Sequence, residues 1–411
     1  MVRAIVVVRS AADCILFFIF SFKYSFFSVT NLHNTIKIQK SQSFYSNSDP
    51  MAPTLSTTQF SNPAEVTDFV VHKGNGVKGL SETGIKALPD QYIQPLEERL
   101  INKFVNETDE AIPVIDMSSP DENRVAEAVC DAAEKWGFFQ VINHGVPLEV
   151  LDDVKAATHR FFNLPVEEKC KFTKENSLST NVRFGTSFSP LAEKSLEWKD
   201  YLSLFFVSEA EAEQFWPDIC RNETLEYMNK SKKMVRKLLE YLGKNLNVKE
   251  LDETKESLFM GSIRVNLNYY PICPNPDLTV GVGRHSDVSS LTILLQDQIG
   301  GLHVRSLASG NWVHVPPVPG SFVINIGDAM QILSNGRYKS VEHRVLANGN
   351  NNRISVPIFV NPKPESVIGP LPEVIANGEE PIYRDVLYSD YVRYFFRKAH
   401  DGKKTVDYAK I

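Results

Sequence analysis

From Ile263 onward the chain breaks into short β-rich runs separated by Gly, Asn and Pro turns, and this texture limits the fold more than any other feature. The runs are 265–270, 290–295, 302–304, 312–315, 321–325, 340–346 and 354–360. Strands this short and evenly spaced predict a barrel or a two-sheet jelly roll. The segments before them read differently. Val125, Ala128, Val129, Ala132, Ala133 and Trp136 fall on one stripe of a helix that Gly137 is placed to end. A buried strand is predicted over 112–117, with Asp116 and Ser118 in the turn after it. A second strand covers 138–142 and closes at Asn143-His144-Gly145. Further helices are predicted around 62–71, over 148–163 up to Pro165, and over 223–246. An aromatic helix over 383–398 is expected to pack on the outside of the barrel. The fold class is therefore mixed α/β with an all-β core flanked by helices. We divide it into an extension (1–50), a helical and mixed region (51–250), a catalytic core (251–362) and a helical tail (363–411).

Residues 1–50 stand apart. They carry Arg3, Arg9, Lys23, Lys37 and Lys40 against only Asp13 and Asp49, and an apolar run over 14–22. That run is shorter than the ~20 residues a spanning helix needs. Three readings stay open: a transit peptide, a secretory signal, or an upstream extension before Met51. There are 44 basic and 50 acidic residues overall, which argues against general nucleic-acid coating. The five cysteines are scattered without a C-x-x-C, so a disulfide framework or cysteine zinc site is not expected, and a cytoplasmic, reducing location is. No membrane partner is expected after residue 50.

Gly74-Asn-Gly76-Val-Lys-Gly79 fits G-x-G-x-x-G, but Gly84 and Pro89 soon break the following segment. A dinucleotide fingerprint must open a long helix, so we read a turn between short helices. The chemistry lies later. His285-Ser-Asp287 enters the β-rich run, where residues i and i+2 share a face. His343 follows in a run where Val341, His343 and Val345 also share one. Two histidines and a carboxylate form the facial triad of non-haem Fe(II) oxygenases, which leaves positions open for O2 and substrate. Zinc hydrolases use similar ligands, but their H-E-x-x-H is absent. Next comes Arg353-Ile-Ser355, with a guanidinium and a hydroxyl on one face. A buried Arg needs a lasting anionic partner and suits a carboxylate held by two hydrogen bonds. The far carboxylate of 2-oxoglutarate provides one, with Tyr270 adding a hydroxyl and Asn268 near the keto-acid end. His144, His303 and His314 are read as structural, and Asp328 as a capping residue in a turn.

These landmarks resemble the plant 2-oxoglutarate- and Fe(II)-dependent dioxygenases. The resemblance rests on Ile112-Pro-Val-Ile-Asp116, Trp136-Gly-Phe-Phe-Gln-Val-Ile-Asn-His-Gly145, Asn268-Tyr-Tyr-Pro271, Gly327-Asp328, Ile332-Leu-Ser-Asn-Gly336 and the triad, and covers about residues 60–400. It implies a double-stranded β-helix core, iron on His285, Asp287 and His343, and co-substrate on Arg353, Ser355 and Tyr270 with Asn268 nearby. It also implies O2 as oxidant, ascorbate as a supporting reductant and a monomeric enzyme. Flavonoid-modifying members usually carry Lys where this chain has Asn266, and Glu where it has Asn361. The runs Arg353-Ile-Ser-Val-Pro-Ile-Phe-Val-Asn-Pro362 and Gly74–Leu80 are instead similar to the feruloyl-CoA ortho-hydroxylases of coumarin biosynthesis. That similarity implies ring hydroxylation of a hydroxycinnamoyl-CoA ester, leading to coumarins such as scopoletin. A flavonoid- or hormone-modifying dioxygenase is the first alternative. A ligand-binding jelly roll without turnover is the second, although no triad residue is missing.

Overall fold

The structure is a computed structural model. It describes residues 60, 62–99, 110–187, 193–376, 378–397 and 404–411, together with the backbone of two strands near the N-terminus. Those two strands, β1 (Arg3–Arg9) and β2 (Ile15–Ser21), form an antiparallel hairpin within a unit spanning Met1–Thr54. The rest of the extension, and with it the choice among the three readings, lies outside the described residues. The second unit, Leu55–Ile411, holds every other element.

Twelve strands build its core. In chain order they are β3 (Val114–Asp116), β4 (Phe138–Ile142), β5 (Val182–Thr186), β6 (Asp200–Phe206), β7 (Ser262–Tyr270) and β8 (Val280–His285). Then come β9 (Leu291–Gln296), β10 (Leu302–Arg305), β11 (Trp312–His314), β12 (Phe322–Ile326), β13 (His343–Leu346) and β14 (Arg353–Asn361). Eight of them pair in the order β3-β4-β12-β9-β14-β7-β6-β5, and four in the order β11-β10-β13-β8. The two sheets form the expected double-stranded β-helix with helices outside it.

Strand alternation explains how the large sheet serves two purposes. On β7, Val265, Leu267 and Tyr269 point to the helical layer, and on β14 Ile354, Val356, Ile358 and Val360 do the same. The helices Leu148–Phe162 and Asp218–Asn245 supply that layer, and the Tyr227 hydroxyl donates to the Val356 carbonyl at 3.0 Å. Each of these aliphatic side chains contributes about 1.5–3 kcal/mol by leaving water, and truncating Leu267 to Ala costs about 2–5 kcal/mol. The opposite face of the same strands carries Arg264, Asn266, Asn268, Tyr270, Arg353 and Ser355, which all line an interior cavity. One sheet thus has an apolar outer face and a polar inner one.

Several sequence expectations need correction. The strand at Val114 is an edge strand, and Val114 is half exposed. The long helix starts at Asp218, directly after Pro217, and not at 223. Strands β5, β6 and β8 were not expected. The run 340–346 is strand only from His343. The tail begins its helix at Tyr388 and ends it at Arg397, and Phe395 and Phe396 line the interior cavity, so this helix does more than cover the outside. The glycine-rich segment is indeed a turn between two short helical segments, with Gly74 and Gly76 at positive φ. Its amides at Val77 and Lys78 donate to the Asp200 carboxylate at 2.7 and 2.8 Å. A Cβ on Gly76 would lie 2.5 Å from that carboxylate, so the motif binds the protein's own anion. Among the described residues no helix is long and apolar enough to cross a membrane.

Candidate active site

His285 is the last residue of β8 and His343 the first of β13, and the two face each other in the register of the small sheet. Asp287 lies beyond the end of β8, in the connection to β9. Strand alternation therefore does not account for its position, although its carboxylate still converges with the imidazoles. Asp287 Oδ1 lies 3.6 Å from His285 Nε2 and 3.9 Å from His343 Nε2. One potential ligand atom from each residue falls within 4.8 Å of the others. Each imidazole is oriented by its own backbone. His285 Nδ1 bonds the Gly283 carbonyl at 2.8 Å, and His343 Nδ1 the Val341 carbonyl at 3.2 Å. With Nδ1 carrying the proton, Nε2 presents its lone pair inward. Asp287 Oδ2 accepts from the Thr292 hydroxyl at 2.7 Å and the Asn325 amide at 2.8 Å, which leaves Oδ1 for a metal. Burial alone would raise the Asp287 pKa. The His343 and His285 imidazoles and the Asn325 amide outweigh burial and hold the carboxyl below its ordinary range. The donor set, two imidazoles and one carboxylate on one side, fits a ferrous ion with open positions.

The loop bearing Asp287 is clamped by the helix Asp328–Leu333. Its first amides, Asp328 and Ala329, donate to the carbonyls of Asp287 and Ser289 at 2.7 and 3.2 Å. Gly327 permits this approach, since a Cβ there would meet the Ser289 carbonyl oxygen at 1.9 Å. The Asp328 side chain does not cap a turn, as the sequence had suggested. It is fully buried and accepts from Ser340 Oγ at 2.6 Å, Tyr391 Oη at 2.8 Å and Ser286 Oγ at 3.3 Å. One carboxylate thus joins the approach to His343, the Asp287 loop and the C-terminal helix.

Arg353, Ser355, Asn268 and Tyr270 come together on β14 and β7. Arg353 is 1% exposed and sits 4.7 Å over the Tyr270 ring. Its Nη2 donates to Gln296 Oε1 at 3.2 Å, while Nε and Nη1 are buried without a hydrogen-bond partner among the described residues. Buried cationic donors left in that state fit an anionic ligand such as a carboxylate. Asn268 Nδ2 donates to Ser355 Oγ at 3.3 Å, so the Ser355 proton is available to a ligand. Gln296 was missed in the sequence; its register opposite Ser355 was the available signal. Also missed were Tyr201, Ser203, Phe205 and Arg183 on the inner face of β5 and β6, and Arg264 on β7. His144 accepts from the Val146 amide and bonds the Gly320 carbonyl. His303 and His314 are cross-strand partners in β10 and β11, and neither lines the cavity.

Residues 264–362 match the 2OG-Fe(II) oxygenase superfamily, and residues 112–223 match the non-haem dioxygenase in morphine synthesis N-terminal family. Over 361 residues the chain is 95% identical to feruloyl CoA ortho-hydroxylase 1 of Arabidopsis thaliana, covering 88% of this chain and 100% of the relative. The chain belongs to the 2OG-Fe(II) oxygenase superfamily. This oxygenase is also 63% identical over 348 residues to a bi-functional coumaroyl CoA and feruloyl CoA ortho-hydroxylase of Ruta graveolens, with 84% of this chain and 95% of that one covered. Among solved structures it resembles JOX2 in complex with 2OG, Fe, and JA, at 34% identity and a TM-score of 0.70, over 82% of this chain and 97% of that one. The oxygenase is an oxidoreductase that uses Fe(II), 2-oxoglutarate and O2 on a small-molecule substrate.

Proposed function

We propose that this oxygenase hydroxylates the aromatic ring of a hydroxycinnamoyl-CoA ester, feruloyl-CoA, at the carbon ortho to the side chain. The carrying observation is the 95% identity over 361 residues to an enzyme of that name. In this reading His285, Asp287 and His343 hold the iron. Arg353 and Ser355 hold the far carboxylate of 2-oxoglutarate, with Tyr270 under the guanidinium and Asn268 orienting the Ser355 hydroxyl. Bound iron and 2-oxoglutarate supply the oxidising power: one atom of O2 enters the ring, the other enters succinate, and CO2 leaves. The protein's part is placement. Thr292 and Asn325 fix the Asp287 carboxylate, Val341 and Gly283 fix the imidazoles, and Phe138, Val282 and Leu294 give the cavity apolar walls. Oxygen insertion into a C–H bond needs no general base. The new hydroxyl then attacks the thioester carbonyl after trans-to-cis isomerisation, releasing coenzyme A and a coumarin such as scopoletin.

The reading also assigns the chemistry to the core at 251–362, a monomeric state and a cytoplasmic location. The last is supported by the four described cysteines, all free thiols. Purified protein with Fe(II) and 2-oxoglutarate should convert feruloyl-CoA and coumaroyl-CoA to ortho-hydroxylated products and leave free ferulate unchanged. Turnover of the free acid with the CoA esters inert would refute the substrate and favour a hormone-like acid.

A further inference from the structure

Apart from the tyrosines, the ionisable side chains lining the catalytic cavity are Arg183, Lys199, Arg264, His285, Asp287, His343 and Arg353. Asp287, a divalent iron, Arg353 and doubly negative 2-oxoglutarate cancel one another in formal charge. Lys199 is matched by Glu197 at 3.4 Å. Arg264 and Arg183 are left over, and neither makes a side-chain hydrogen bond or ion pair among the described residues. They give the cavity and its mouth an excess of positive charge, which an anionic second substrate complements.

Their positions define a route. Arg264 is cross-strand neighbour to Phe205 on β6 and to Phe359 on β14, and its guanidinium is sandwiched 5.5 and 4.2 Å from their rings. Its Nε is buried without a hydrogen-bond partner among the described residues, and burial lowers the guanidinium pKa. The adjacent rank across the sheet is Asn266, Ser203 and Arg183, with Ser203 Oγ donating to Asn266 Oδ1 at 2.8 Å. That bond leaves the Asn266 amide N–H groups to donate elsewhere. The rank ends on β5, the edge of the sheet, where Arg183 is exposed. The rim there is open and apolar: Phe205 is 40% and Phe396 45% exposed. The catalytic cavity measures about 200 Å³ and cannot enclose a whole acyl-CoA. A second cavity of about 370 Å³ lies next to it, and Arg183, Tyr201 and Phe396 form a wall common to both. Lys174 and Glu175 also line it.

We propose that the second cavity is a binding site for the phosphate-bearing arm of an acyl-CoA. The thioester carbonyl accepts from Arg264, the pantetheine amides run past Asn266 and Ser203, and the phosphates lie against Arg183. This rests on the acyl-CoA reading above and adds to it the residues that read the carrier.

Two measurements test it on the iron- and 2-oxoglutarate-loaded protein without O2, and then in turnover. Calorimetric titration with free coenzyme A should detect binding to wild type that R183A weakens at least tenfold. In turnover, feruloyl-CoA is compared with the feruloyl thioester of N-acetylcysteamine, which keeps the carbonyl and lacks the phosphates. The ratio of their KM values should move at least tenfold against the CoA ester in R183A and further in R183E. In R264M both KM values should rise together. No binding of coenzyme A by wild type, or a KM ratio unmoved in R183A and R183E, overturns the arm site. An R264M variant with an unchanged KM for the truncated thioester overturns the carbonyl contact. If coenzyme A binds through Arg183 but feruloyl-CoA is not turned over, the arm site stands and the substrate reading falls.

Discussion

Replacing Arg353 by Lys should damage 2-oxoglutarate binding far more than binding of the aromatic substrate. The guanidinium is buried, stacked over Tyr270 and anchored through Nη2 to Gln296, while Nε and Nη1 have no hydrogen-bond partner among the described residues. Lysine keeps the charge but offers a single strongly hydrated head and cannot make two parallel bonds. Losing one charge-assisted hydrogen bond costs about 1.5–3 kcal/mol, or roughly 10- to 150-fold in affinity. Lysine also loses the Gln296 anchor, so the upper part of that range is expected. Ser355 still faces the same carboxylate, and measurable binding should survive. The assay is the apparent KM for each substrate with the other saturating, together with anaerobic binding of 2-oxoglutarate to the iron-loaded protein. An R353K enzyme whose aromatic KM rises while its 2-oxoglutarate affinity stays put would show that Arg353 faces the other ligand.

Three further outcomes are expected. D287A should lose iron and turnover while remaining folded, because two imidazoles alone leave the metal without a charge-balancing ligand; metal analysis with a circular dichroism spectrum checks this, and an active, iron-loaded variant refutes the triad. Burial pulls the His303 pKa down to about 4, against about 6.5 when unfolded, so the folded state binds fewer protons. This contribution is complete above about pH 6.5 and disappears as pH falls toward 4, by about 3 kcal/mol in all, and H303Q should flatten the urea midpoint across that window. A chain beginning at Met51 should be folded and active, because every site residue lies in the unit Leu55–Ile411; an inactive or insoluble product would contradict that.

The core strands and the convergence of His285, Asp287 and His343 were legible because both rest on local signals: short β-rich runs between turn residues, and short motifs placed in those runs. The blind spots of the sequence have physical causes. On β6, Tyr201, Ser203 and Phe205 alternate with Leu202, Leu204 and Phe206, yet the inward set mixes a hydroxyl with aromatics because it faces a cavity. Asp287 does join the two histidines, but strand alternation is not the reason, since its loop is held by two amides of a helix about forty residues later in the chain. Asp328 looked like a cap because Gly-Asp before a helix usually is one, and its three hydroxyl partners are distant or come from another element. The tail helix was visible as an aromatic segment over 383–398, but such composition does not show which surface buries it.

The bond from Tyr391 to Asp328 also bears on how the protein is made. Synthesis runs from the N-terminus and folding follows it. His285, Asp287 and His343 are therefore in place on the ribosome before the residue that completes the support of their loop has been added. Tyr391 follows His343 in the sequence, so the support of that loop is completed only after all three residues of the cluster have been made.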